Sequence, residues 1–80
     1  MPLPMQQLRF ELDRDHVELN QLLKLAGLCD SGGAGKALVA SGAVSVDGNL
    51  ELRKTCKIRD GQVVRVGGAE ILVTAIPPVA

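Results

Sequence analysis

Arg53, Lys54, Lys57 and Arg59 fall within seven positions, with no acidic residue between them. The chemistry open to such a run is phosphate recognition, because guanidinium and ammonium groups donate charge-assisted hydrogen bonds to phosphate oxygens. Lys36 adds a cation a few residues after Ser31, a residue type that caps helices. Helix-terminal amides beside a lysine form a ready anion site. The competing reading of the basic run is a solvated face, which is ordinary for clustered charge.

No other grouping points to chemistry. Gly35-Lys36 follows a glycine-rich run, but a phosphate loop needs glycine where Asp30 stands and serine or threonine where Ala37 stands. His16 is the sole histidine and has no serine or cysteine at a recognisable spacing, so it reads as an exposed first-turn residue. Cys29 and Cys56 are too few for a disulfide framework and lack the partners of a zinc site. They read as small apolar residues or free thiols. No carboxylate pair suggests a general acid and base. We expect no enzyme, no cofactor and no metal.

Eighty residues suffice for one domain spanning 1–80, and 46% hydrophobic content argues for a folded chain. No apolar run reaches the ~18 residues of a membrane span, and the N-terminus lacks the pattern of a signal peptide. A cytoplasmic, reducing setting is expected. Net charge is zero, but its distribution is uneven. Residues 1–30 carry three basic and five acidic side chains, whereas residues 51–65 carry five basic and two acidic. A neutral total can therefore hide one positive and one negative face.

The elements that would position this charge follow from periodicity. Leu8, Phe10 and Leu12 alternate with charged residues over about 7–12, as in a half-buried strand. Asp15 and Glu18 have the spacing of a capping box, predicting a helix that buries Leu19, Leu22, Leu23 and Ala26 and stops at Gly27. Ser31 opens a second helix that buries Ala34, Leu38 and Val39 and ends at Gly42. Gly32, Gly33 and Gly35 weaken it by roughly 1 kcal/mol each where interior, and leave its first amides accessible. Val44 and Val46 form a strand, Asp47-Gly48 a hairpin turn, and Leu50 and Leu52 a returning strand. Turns at Asp60-Gly61 and Gly67-Gly68 frame two more strands, the last of which is expected to pair with the first. The tail, 77–80, is expected to leave the fold. The fold class is α+β: two helices packed on a small, mostly antiparallel sheet.

Phe10 is the only aromatic residue, and its pattern places it inside. Base stacking on aromatic platforms is therefore not available. A nucleic-acid ligand would be read by backbone and shape, as on folded or double-helical RNA.

Taken in order, Ser31, Lys36, Leu38, Gly42, Val44, Val46 and Asp47-Gly48 resemble the core of the S4 RNA-binding domain. That family's pattern runs Arg-Leu-Asp, then Ser-Arg-x-x-Ala-Arg, then Gly-x-Val-x-Val-Asn-Gly, and later Gly-Asp before a valine strand. Leu19, Gly27-Leu28 and Gly61-Gln62-Val63 fit the flanking parts, so the resemblance covers about 17–66. Glu51-x-Arg53-Lys54-x-x-Lys57-Ile58 is similar to small stand-alone bacterial members. Glu18 stands where the family often has arginine, Gly32 replaces the arginine after serine, and Ala40-Ser41 replaces a polar or basic pair.

The resemblance implies an S4-like fold of the alpha-L type and a non-catalytic module that binds structured RNA, with ribosomal RNA or ribosomal particles as partners. On this reading Ser31, Lys36, Arg53, Lys54, Lys57 and Arg59 form the RNA surface of a monomer. The alternative is a protein-interaction module whose basic face meets an acidic partner.

Overall fold

The computed structural model describes residues 6–76, so the 77–80 tail expectation lies outside the described residues. The chain runs β1 (Gln6–Leu12), β2 (Val17–Glu18), α1 (Leu19–Leu25), α2 (Gly32–Ala40), β3 (Val44–Val46), β4 (Asn49–Leu50), β5 (Lys57–Ile58), β6 (Val63–Val66) and β7 (Ala69–Ala75). Five strands form one sheet in the order β1-β7-β6-β3-β4, and β2 and β5 form a separate antiparallel pair. Only β1 and β7 run parallel; the other neighbours are antiparallel. This is the α+β architecture expected, with the first strand beside the last.

Alternation explains the layers. Val44 and Val46 point inward and meet Val64, Ile71 and Val73 from neighbouring strands. Leu19, Leu22 and Leu23 cover them from α1, and Val39 from α2. Ile58 and Val17 seal one end through the β2–β5 pair. Burial of these aliphatic side chains is the main driving force for so small a fold.

The hairpin turn behaves as its composition requires. Asp47 and Gly48 have φ of +52° and +84°, the left-handed pair of a type I′ turn. Asp47 also braces a second strand. Its carboxylate accepts from the Val63 amide at 2.9 Å, and its own amide donates to the Val63 carbonyl at 2.8 Å.

Three local expectations are corrected. Asp15 does not cap α1, which begins at Leu19 with Glu18 in the cap position and no side-chain cap bond. Val17 and Glu18 are instead drawn into pairing with Ile58 and Lys57. The Leu19 and Asn20 amides donate to the carbonyls of Cys56 (2.9 Å) and Lys54 (3.0 Å), so the chain around β5 does the capping.

In α2, Ala34 is exposed and Leu38 half-buried, while Gly35 and Val39, four residues apart, face inward. The reason is close approach: a Cβ on Gly35 would lie 2.6 Å from the Asn20 carbonyl oxygen. Gly35 thus serves helix packing, whereas a Cβ on Gly33 would meet only Ser31 Oγ at 3.8 Å.

Leu52 lies outside the returning strand, which is only Asn49–Leu50, and both leucines are exposed. One more bond to β3 follows, from the Glu51 amide to the Val44 carbonyl at 3.0 Å, and the Glu51 carboxylate then accepts from the Arg53 amide at 2.9 Å as the chain turns away.

Candidate nucleic-acid interface

The basic segment has almost no regular structure of its own, and its shape comes from bonds to its neighbours. Glu51 is the pivot. Its carboxylate receives Arg53 Nε and Nη2, each at 3.0 Å, besides the Arg53 amide. This triple hydrogen bonding to Arg53 is the main reason the Glu51 carboxyl is held down at about 2. The Cys56 amide then donates to the Arg53 carbonyl at 3.0 Å, closing the turn that caps α1.

Asn20 joins the pieces. Its amide holds the Lys54 carbonyl, and its own carbonyl faces Gly35, the residue before Lys36. The backbones that carry Lys54 and Lys36 therefore meet at the same residue of α1. Lys57 follows on β5, opposite Glu18. Lys36, Lys54 and Lys57 are all exposed, and none forms an ion pair among the described residues.

The arginines are arranged differently from the sequence expectation of a free basic run. Arg53 is neutralised by Glu51, and Arg59 Nη1 donates to Asp15 Oδ2 at 2.6 Å. His16 Nδ1 lies 3.3 Å from the same oxygen. These two side chains, His16 first, lower the Asp15 carboxyl below its ordinary range. Arg65 is paired with Glu70 across β6 and β7 at 2.9 Å. Of the five basic residues in 51–65, three thus already hold carboxylates. The cations of this segment without an ion pair among the described residues are Lys54 and Lys57.

Ser31 caps α2 as expected, its hydroxyl accepting from the Ala34 amide at 3.1 Å. It orders the helix carrying Lys36. Asn20 and Glu51 are the positioning residues that sequence reasoning missed. Asn20 gave little signal, being one of three polar residues in LNQLLKL, yet it is the one buried polar side chain among the described residues. Cys29 and Cys56 are free thiols, and burial is the first cause raising both. They are protonated and packed against the core at neutral pH. Among the described residues, no group of three or more His, Cys, Asp or Glu is placed to hold a metal ion.

The S4 domain family model matches residues 10–74, nearly the whole described chain. The chain belongs to the S4 domain family. The match extends beyond the 17–66 core that the motifs carry, taking in part of β1 and most of β7. YbcJ of Escherichia coli (strain K12) is 50% identical to this S4 domain over 60 residues, covering 75% of this chain and 86% of that one. YbcJ of Shigella flexneri gives the same identity and coverage. The solution structure of E. coli YbcJ, described as revealing an ALFAL motif involved in RNA-binding, superposes with a TM-score of 0.68. That pair shares 44% identity, over 94% of this chain and 98% of the other. The fold is accordingly S4-like, of the alpha-L type, and the S4 domain is a binding module rather than an enzyme. No helix among the described residues is long and apolar enough to cross a membrane.

Proposed function

We propose that this S4 domain acts as a single RNA-binding unit that docks onto the phosphates of structured RNA through Lys36, Lys54 and Lys57. Arg53 and Arg59, held by Glu51 and Asp15, shape the surface and contact RNA only where a phosphate displaces the carboxylate. The observation that carries the reading is that the backbone at Lys54 and at Gly35, the residue before Lys36, meets Asn20, with the third exposed lysine on β5. Three exposed lysines carried on the backbone around α1 and β5 suit a polyanion better than a single phosphate, because neither described pocket is lined by them. Shape rather than sequence would be read, since no exposed aromatic is available to stack on bases.

The finer target is ribosomal RNA or a ribosomal particle, in the cytoplasm, where free thiols such as Cys29 and Cys56 persist. The RNA named for the YbcJ structure supports RNA as the ligand class. Co-sedimentation with ribosomal subunits in a sucrose gradient tests the particle.

The surface is tested by binding to a folded ribosomal RNA fragment across a salt series. Replacing Lys36, Lys54 and Lys57 together by alanine should flatten the log–log salt slope by roughly two units or slightly more, at about 0.7 to 0.9 per lost phosphate contact. Thermal stability should hardly change, because all three side chains are exposed. An unchanged slope with a folded variant would place the RNA surface elsewhere.

A further inference from the structure

β1 is a seven-residue edge strand, bonded to β7 on one side only. The side is fixed by two hydrogen bonds. The Gln6 amide donates to the Gly68 carbonyl at 2.7 Å, and the Leu12 carbonyl accepts from the Ile76 amide at 3.0 Å. Even-numbered residues of β1 therefore turn their backbone groups toward β7. Gln7, Arg9 and Glu11 turn theirs outward, where no described residue meets them. Natural edges of this length are commonly blunted by charged side chains, proline or a bulge. Gln6–Leu12 has no proline and an unbroken register, and its two charges, Arg9 and Glu11, are of opposite sign. Its outward-bonding residues carry opposite charges two positions apart.

We propose that two copies of this chain pair through their β1 edges, antiparallel and centred on Phe10, to form one continuous sheet. The register follows from bonding and charge together. An antiparallel partner must set outward-bonding residues against outward-bonding residues, so the centre can move only in whole residues along β1. Centring on Arg9 sets Arg9 against itself, and centring on Glu11 sets Glu11 against itself. Like charges directly opposite are unfavourable. Centring on Leu8 sets Arg9 against the uncharged Gln7 and leaves Glu11 opposite no residue of the strand. Centring on Phe10 sets Arg9 against Glu11 of the second copy, twice by symmetry.

The same register suits the inner face. Phe10 meets Phe10 at a non-hydrogen-bonded position, where Cα atoms approach to ~4.5 Å and side chains are nearest. Leu8 of each copy arrives beside Leu12 of the other. A groove of about 550 Å³ opens beside this end of β1, lined by Phe10, Leu12 and Leu25 and by the mostly charged residues 13–18. Leu25 is 59% exposed on its rim. An isologous pair of this kind closes on itself and leaves no further β1 edge. It departs from the expectation of a monomer, which the sedimentation experiment decides, and does not depend on RNA.

Sedimentation velocity of the RNA-free protein, from ~10 μM to ~1 mM, should show the mass rising toward twice the monomer value with concentration. Arg9→Glu should weaken association by about tenfold or more, since symmetry places the repulsion twice. Glu11→Arg should do the same. The double variant Arg9→Glu/Glu11→Arg should restore it, because the exchanged charges meet again. Arg9 and Glu11 are exposed, so circular dichroism of each variant should match the parent. Hydrogen exchange gives a second readout: the Arg9 and Glu11 amides should gain protection with concentration, whereas Leu8 and Phe10 are protected throughout. The proposal falls if the chain stays monomeric at ~1 mM, if the double variant does not restore pairing, or if mass rises without protection of Arg9 and Glu11.

Discussion

Helix α2 and the segment 51–59 both contribute to the candidate surface, yet they are built on opposite terms. α2 is regular, glycine-rich and carries a single cation, Lys36. Its place is set by the absence of a side chain, since Gly35 lets the Asn20 carbonyl come within reach of the helix. The segment 51–59 is irregular, rich in cations and placed by added polar bonds, chiefly those of Glu51 and the capping carbonyls of Lys54 and Cys56. Steric fit positions one half of the surface and hydrogen bonding the other. The first tolerates no added atom, whereas the second should yield gradually as charges are altered.

Substitution at the helix crossing sharpens this contrast most. Gly35→Val should cost about 2–3 kcal/mol in urea denaturation, because a Cβ at 2.6 Å from a backbone oxygen forces the two helices apart. Gly33→Ala is the control. A Cβ there meets only Ser31 Oγ at 3.8 Å, an ordinary contact. It should leave stability unchanged or raise it by about 0.5 kcal/mol through helix propensity. Equal effects at the two positions would remove the steric account of α2.

The difference in construction also decides what could be read from the residues. Ser31, the Asp47-Gly48 turn and the glycine stops were legible because caps and turns depend on residues a few positions apart. The Asp15–Glu18 capping box misled for a related reason. Its local signal is genuine, but pairing of Val17-Glu18 with Lys57-Ile58 buries more and outweighs it. Ala34 was misassigned because helical periodicity admits either face when most of a helix is small residues. In the basic segment, composition exposed the cluster but not its partners. Glu51 stands two positions from Arg53 and was within local reach. Asp15 lies 44 positions from Arg59, and only the fold brings them together.

The Glu51 clamp should respond to acid in a defined direction. Its carboxyl is lowered from 4.5 to about 2 in the folded chain, so the unfolded state binds the proton more readily. The contribution is fully present above about pH 4.5 and is lost as pH falls through about 2. Glu51→Gln should remove this part of the acid sensitivity. At neutral pH it should cost about 1 kcal/mol or less, because the Arg53 side of the pair is solvent-exposed. Urea midpoints for parent and variant between pH 2 and 6 should converge toward the acid end. Parallel curves across that range would mean that Glu51 does not hold the turn in solution.

The Asp15–Arg59 pair is the smallest lever and separates positioning from charge. Both partners are exposed, with side-chain accessibilities of 73% and 53%, so Asp15→Asn should leave the unfolding midpoint unchanged. Its effect should appear in RNA binding instead. Removing the carboxylate frees the Arg59 guanidinium and deletes a negative charge from the edge of the lysine surface. Affinity for a structured RNA should then rise by about two- to threefold at low salt and converge with the parent near ~0.5 M, where the Debye length is only a few ångströms. Arg59→Gln should lower affinity only slightly, because in the parent that charge is already answered by Asp15. If Arg59→Gln instead abolishes binding, the guanidinium contacts RNA directly. The division between clamped arginines and working lysines would then have to be redrawn.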